Sequence, residues 1–327
     1  MARMSGGQFD RRMRRRYQRQ FGKAVELPPG PAQLAQARKE ELAELAEAVA
    51  DEHCRTGRIE PEHIARAKRI TMSFGPYGDA FDGMLEHKAA PLADEPDGPA
   101  RRPRGEGRFH LFCNLDRVER SDSPRARFTL AHELGHYYID EHRNALAAGS
   151  APAHRSACDY ESQNLAEQEA DHFAANLLMP QGRFCAKAWL ASPGLAGILR
   201  LAGEFGTSLT ATAIRYAAAD VSPCAVVKWN WNRYAWKWLS SSTFRARFGR
   251  TVEAPDKLPP DSPTGRALAH ETPSSGDYFE AGTTASAWFP RVKPGEFRDV
   301  IFIEQAIPLG RFGVLTFLYP SGGRYAF

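Results

Sequence analysis

Two histidines four residues apart, with a glutamate directly after the first, stand at His132-Glu133-Leu134-Gly135-His136. Each residue of an α-helix turns about 100°, so positions four apart sit about 40° from one another, one turn up. Both imidazoles can therefore reach one cation from a single helix face, at about 2.0–2.1 Å if the ion is zinc. Glu133 lies beside them, close enough to orient a water without ligating the metal. This is the H-E-x-x-H arrangement of zinc hydrolases.

A second helical stretch supplies the missing carboxylates. In Glu167-Gln168-Glu169-Ala170-Asp171-His172-Phe173-Ala174-Ala175-Asn176-Leu177-Leu178-Met179-Pro180, the residues Ala170, Ala174, Leu177 and Leu178 make a stripe of small and apolar side chains that permits close helix packing. Glu167 lies on that inward side. A buried, unpaired carboxylate is costly, so Glu167 needs a cation or a proton, and an ion held by two histidines of a packed neighbouring helix meets that need. Asp171, one turn later, is placed to accept a hydrogen bond from the free ring N–H of one metal-binding histidine, which fixes its tautomer and orientation. Glu169 points elsewhere on the helix and is expected in solvent. Three protein ligands (His132, His136, Glu167) leave a fourth position open, the catalytic rather than the structural pattern of zinc, with Glu133 as general base. For a second oxyanion donor the residue types leave Tyr138, His110, His154, Tyr160 and His172 open.

These side chains need elements to hold them. Ser123-Pro124 is a helix start, with serine as cap and proline at the first helical position, and predicts a helix through His136 to about Tyr138. Met179-Pro180 stops the Glu167 helix, which is expected over 161–178. Upstream, an amphipathic helix is predicted from Ala32 to Ala50 and a short one from Pro61 to about Ile70. Phe109-His110-Leu111-Phe112-Cys113-Asn114 reads as a strand. Placed at a sheet edge beside the cleft, its residues Phe109, His110, Leu111 and Phe112 are the candidates for binding a substrate chain by strand addition. Residues 89–107 and 145–160 are expected as loops.

The segment Arg127-Phe128-Thr129-Leu130-Ala131-His132-Glu133-Leu134-Gly135-His136, together with Glu167-x-x-Ala170-Asp171-x-Phe173-Ala174-Ala175-x-Leu177-Leu178-Met179-Pro180, resembles the ImmA/IrrE family of bacterial zinc metallo-endopeptidases over roughly residues 32–220. Asp171 stands where many relatives carry asparagine. The resemblance implies one catalytic Zn²⁺, a cytoplasmic location, and a site similar to thermolysin around the metal. It further implies a protein substrate, a helix-turn-helix transcriptional repressor, in a stress or mobile-element response. The expected fold is α+β: a zincin-like metallopeptidase domain with a helical extension over 31–220, then a small β-rich C-terminal domain over 221–327. The alternative is a DNA- or partner-binding regulator whose metal site serves mainly structure.

Composition narrows the field. The chain has 327 residues, of which 43% are hydrophobic, enough for a sizeable core. It contains no apolar run of the roughly 18 residues that a membrane-spanning helix needs. The five cysteines are scattered and form no C-x-x-C, which argues against a disulfide framework and for a reducing compartment. The net charge of +4 is concentrated at the start: residues 1–25 hold eight basic side chains against Asp10 alone. Residues 1–30 are read as a basic, disordered tail able to touch nucleic acid weakly through phosphate charge.

Two further patterns remain. Leu195–Phe205, Gly206-Thr207 and Ser208–Ala219 outline a helix-turn-helix, but the second helix offers Arg215 as its only arginine, thin for reading DNA, so a packing role is expected. Beyond Ser222 the period becomes two. A turn at Asn232-Arg233 would pair 231 with 234, 229 with 236 and 227 with 238, placing Trp229, Trp231, Tyr234, Trp236 and Trp238 on one face. That face is read as the buried side of a small β domain rather than a platform for nucleic acid or peptide. Residues 253–277 are expected as loop, with strands near Ala285–Phe289, Val300–Glu304 and Val314–Tyr319.

Overall fold

The computed structural model of the chain describes residues 34–79, 81–88, 108–118, 120–149, 154–156, 164–232, 235–248, 259–273, 276–288 and 300–322. The basic tail, the 89–107 segment, Tyr160 and Tyr234 lie outside the described residues. The architecture is α+β. The N-terminal part begins with α1 (Gln36–His53), which buries Leu42, Ala46, Val49 and Ala50 along one face, and α2 (Pro61–Ala67), started by a proline that fits the first turn. A four-stranded sheet follows, made of β1 (Thr71–Gly75), β2 (Gly83–Lys88), β3 (Arg108–Asn114) and β4 (His154–Ser156) in the order β1-β3-β2-β4. β1 runs parallel to β3, and the other two pairings are antiparallel.

Against this sheet lies α4 (Pro124–Tyr138), reached through the short α3 (Leu115–Val118). Ser123 caps α4 as its sequence predicts, its Oγ accepting from Ala126 N at 3.1 Å. α5 (Asp140–Ala147) follows at once, and α6 (Leu165–Leu178) is capped by Asn164. α1, α4 and α6 enclose one core with Leu85 and Leu111 of the sheet. α5 and β4 fall partly or wholly in the stretch expected as loop. Asp140 and Glu141 in the first turn of α5 suit the positive end of a helix, and β4 owes its form to pairing with β2, which no local pattern announces.

Met179-Pro180 ends α6 and opens α7 (Gln181–Leu190), followed by α8 (Leu195–Phe205) and α9 (Leu209–Ala218). Gly206 makes the turn between α8 and α9 with φ of 64°, the left-handed region that favours glycine. The second helix of this pair spends its polar side chains inward. Arg215 donates to the Met179 carbonyl at 2.8 Å, and buried Thr212 pairs with Thr207 at 2.8 Å. α7, α8 and α9 share a core with Val226, Ile307, Leu315 and Phe317 of a second sheet. The segment is expected to pack in support of the catalytic domain; it packs mainly against the second sheet instead.

The second sheet is antiparallel throughout, in the order β6-β5-β9-β8-β7, from β5 (Ala225–Trp229), β6 (Ala235–Ser240), β7 (Phe279–Thr284), β8 (Ile301–Pro308) and β9 (Val314–Pro320). The expected register holds at Val227↔Trp238, but a bulge between Lys228 and Trp229 pairs Trp229 with Ala235 instead of Trp236. Trp229 is buried and donates to Thr316 Oγ1 at 3.0 Å. Trp231 has left the strand to stack on His270, with ring centroids 4.1 Å apart. Among the described side chains, Trp229 and Trp231 therefore do not share one strand face.

The expected strand at Ala285–Phe289 is replaced by β7 just before it and the short α12 (Ala285–Trp288), which carries Trp288 inward to donate to Glu304 at 3.0 Å. The expected loop over 253–277 contains α11 (Pro263–Leu268), begun by Ser262-Pro263 with the same cap as α4; Ser262 Oγ accepts from Gly265 N at 3.0 Å. α10 (Ser242–Phe248) completes the packing on this side with Phe244 and Phe248.

Lys228 of β5 is buried and donates to the Phe312 carbonyl. Burial lowers its pKa from 10.5 to about 8. The unfolded chain therefore binds the extra proton between those values, and stability rises with pH across that window, with the full penalty present below it. Lys228→Met is expected to stabilise the protein at pH 7 by roughly 1–2 kcal/mol. Urea melts at several pH values should then lose the rise in stability above pH 8 that the wild type shows.

Candidate metal centre

Glycine and alanine bring the two site helices together. A Cβ on Gly135 of α4 would lie 3.1 Å from Ala170 Cα and 3.2 Å from Phe173 Cδ1 of α6. The helices thus cross almost backbone to backbone at the third letter of the spacer in H-E-x-x-H. Next to this crossing, His132, three residues before Gly135, and His136, directly after it, face Glu167 of α6, and all three are buried.

The donor atoms converge. His132 Nε2 and His136 Nε2 are 3.2 Å apart; Glu167 Oε1 is 3.2 Å from His136 Nε2, and Oε2 is 3.5 Å from His132 Nε2. Ligands at 2.0–2.1 Å in tetrahedral disposition lie about 3.3 Å from each other, so the two imidazole nitrogens and the carboxylate span a face that suits such an ion. Two nitrogens and one carboxylate are also a donor set that zinc takes. The residues present fit the metal.

The electrostatics point the same way. Burial lowers the proton affinity of His132, but hydrogen bonds with Asp171 and Glu167 outweigh it and raise the pKa to about 10. Burial would raise the Glu167 carboxyl, yet the two imidazoles hold it far below the usual carboxylate range. Positive charge is strongly favoured between these groups, and a divalent ion supplies it in place of protons. Asp171 Oδ1 lies 2.8 Å from His132 Nδ1, leaving Nε2 of that ring directed at the shared position.

Residues 118–216 match the IrrE N-terminal-like domain of the Peptidase M78 family. No curated protein matches the chain. A solved structure described as a Mycobacterium tuberculosis transcriptional regulator resembles it with a TM-score of 0.44 and 13% identity, over 86% of this chain and 82% of that one.

Within the matched residues, the structure brings together His132, His136, Glu167 and Asp171, with Glu133 fully buried on the helix of the two histidines. β2 closes over Glu133. A Cβ on Gly83 would lie 2.5 Å from Thr129 Cγ2 and 2.8 Å from Glu133 Oε1, so glycine is what permits the strand to pass. β3 is not an edge strand: it pairs with β1 on one side and β2 on the other, so Phe109, His110, Leu111 and Phe112 cannot accept an added substrate strand. Leu111 is in the core, Phe109 packs edge-on against Tyr137, and His110 bonds to Thr71 and Ser73 at 2.7 and 2.9 Å.

Other oxyanion candidates are also committed elsewhere. Tyr138 bonds to His53 at 3.1 Å, and His172 donates to the Lys39 carbonyl at 2.9 Å. Nothing is described of the His154 side chain.

Glu169 is not solvated. It takes both Arg38 Nε at 2.9 Å and Arg38 Nη2 at 3.2 Å, and His142 Nε2 lies 2.9 Å from its other side. His142 in turn approaches His136, Nδ1 to Nδ1, at 3.1 Å. Sequence reading missed His142 because it ended the helix at Tyr138. The third histidine of the run, six residues after His136, was the available signal.

In an exposed helix, replacing glycine by alanine gains up to about 1 kcal/mol. At Gly135 the added methyl meets the Ala170 backbone, and overpacking of this kind costs roughly 1–3 kcal/mol. Gly135→Ala is expected to lower Tm; a rise in the melting temperature would show slack at the crossing that the geometry denies.

Proposed function

We propose that this chain is a zinc-dependent endopeptidase with a regulatory role, whose substrate is a helix-turn-helix transcriptional repressor cleaved in a stress or mobile-element response. The observation that carries the enzymatic part is the convergence of two imidazole nitrogens and one carboxylate within 3.2–3.5 Å of each other, inside a domain of a metallopeptidase family. The substrate class rests on the resemblance of the paired motifs to ImmA/IrrE proteins, and a cytoplasmic location on the same ground. No helix among the described residues is long and apolar enough to cross a membrane.

His132, His136 and Glu167 would hold the ion, and Asp171 fixes the tautomer of His132 by accepting from its Nδ1–H. Zinc in that position would supply Lewis acidity, easing deprotonation of water at neutral pH and polarising the scissile carbonyl. Glu133 acts as the general base: its carboxylate accepts a proton from water as the water oxygen attacks the peptide carbon. It then passes that proton to the departing amine nitrogen as the C–N bond breaks, which returns Glu133 to its starting state. Burial of Glu133 beneath β2 keeps bulk water from competing for that proton.

The test uses the full chain with zinc and a small helix-turn-helix repressor encoded in an adjacent reading frame. Expected are discrete cleavage products, abolished by chelator, and a fall of roughly 10²–10⁴-fold in kcat/KM for Glu133→Gln with bound zinc unchanged. Regulation preserved in Glu133→Gln, with no cleavage by the wild type, would instead favour a partner-binding regulator whose metal site is structural.

A further inference from the structure

One cluster of titratable side chains next to the site has no part in the chemistry above. His136 Nδ1 meets His142 Nδ1 at 3.1 Å, His142 Nε2 meets Glu169 Oε2 at 2.9 Å, and Arg38 grips Glu169 through Nε and Nη2. The side chains of His142 and Glu169 are only 11% and 17% exposed. The contacts come from four places in the chain: α4, α5, α6 and α1. We propose that His142 is a positioning residue for the metal ligand His136, held in its acceptor tautomer by the Glu169–Arg38 ion pair. This inference rests on the metal-site reading given above.

Proton placement follows from the geometry. His136 Nε2 faces His132 Nε2 at 3.2 Å, so it is the ligand atom and its proton sits on Nδ1. That Nδ1–H then needs an acceptor. His142 provides one only if its own Nδ1 is bare, which puts its proton on Nε2. Glu169, a carboxylate that can only accept, lies where that Nε2–H donates. Arg38, with its fixed donor fork, holds the Glu169 carboxylate in place against His142. Every donor in the run therefore meets an acceptor in a single consistent direction, from His136 through His142 to Glu169.

The two ligand histidines are thereby oriented by different devices. His132 has a carboxylate, Asp171, directly on its Nδ1. His136 has an imidazole in that place, with the carboxylate one ring further away. Each partner locks a rotamer and makes the ligating nitrogen more electron-rich, an effect that typically governs 10–100-fold in metal affinity.

The experiment measures metal binding rather than cleavage, so its failure is distinct from failure of the protease reading. Full-length wild type, His142→Phe, His142→Ala and His142→Asn are stripped of metal and titrated with Zn²⁺ against a chromophoric chelator. The visible spectrum of each Co²⁺-loaded protein is recorded alongside. Phe and Ala both remove the acceptor, one keeping bulk and one losing it, and both are expected to weaken Zn²⁺ binding about 10–100-fold with a changed Co²⁺ spectrum. Asn retains an acceptor oxygen near the position of Nδ1 and is expected to recover most of the affinity.

Wild-type affinity and spectrum in His142→Phe or His142→Ala would overturn the proposal. So would an equal loss in His142→Asn, which would mark a packing role rather than an accepted hydrogen bond. A wild type that takes up no Zn²⁺ would overturn the metal-site reading and this inference with it.

Discussion

Backbone-distance contact between α4 and α6 at Gly135 and Ala170 is the constraint on which the rest depends. Glutamate has a short reach, and its carboxylate meets two imidazoles of another helix only if the axes nearly touch. A larger residue at position 135 would separate the helices by the thickness of a side chain and leave Glu167 buried without its partners. The small-residue stripe on α6, with Ala170 and Ala174 fully buried, is the matching half of the contact. Steric permissiveness at two positions thus decides whether three ligands become one site.

Charge explains why the crossing is worth its constraint. Glu133, Glu167, Glu169 and Asp171 place four carboxylates on these two helices, two of them almost wholly removed from water. Arg38 of α1 meets Glu169, and the histidines meet Glu167 and Asp171. A buried carboxylate is tolerated when it is paired, and the low dielectric that penalises it also strengthens the pairing. A divalent ion at the point where His132, His136 and Glu167 meet satisfies the group with fewer protons than the imidazoles alone would require, which links ion binding to the stability of the helix pair.

The site was legible in sequence because it is local in two pieces. H-E-x-x-H and E-x-x-A-D each obey helical spacing, and the cap at Ser123 marks where the first helix begins; the second, expected from 161, begins at Leu165 behind the Asn164 cap. What escaped depends on contacts between distant segments. β1 and β2 lie in a stretch to which pattern assigned no element, because their form comes from pairing with β3. The placement of β3 inside the sheet could not be read from its own residues, since an internal and an edge strand share the same alternation. Glu169 was misplaced for a related reason. Helical spacing shows which way a residue points but not what α1 and α5 bring to meet it. The Ser262-Pro263 helix start was present in the sequence, and the Pro- and Ser-rich composition around it outweighed a signal identical to the one trusted at Ser123-Pro124.

The helical segment between the two sheets is tied to the metal-site helix and to the second sheet by buried polar groups as well as apolar ones. Arg127, at the start of the metal-site helix, donates to the Gly206 carbonyl at 3.0 Å in the turn between α8 and α9, and also bonds Glu60 and the Ile59 carbonyl beside α2. At the other end of α8, Leu195 N donates to Gln305 Oε1 of β8 at 2.6 Å. Apolar packing alone would let these helices slide by small amounts. A guanidinium and a side-chain amide, each buried and each needing specific partners, set the register, because a shift would strand them without hydrogen bonds. The motif helix is therefore positioned from three sides: by α6 through the ligands, by the first sheet through Gly83, and by the helical segment through Arg127. Only the first of these contacts belongs to the chemistry. The other two explain why residues on β2 and in the α8–α9 turn, which contribute no ligand to the site, are sterically or electrostatically bound to the helix that carries it.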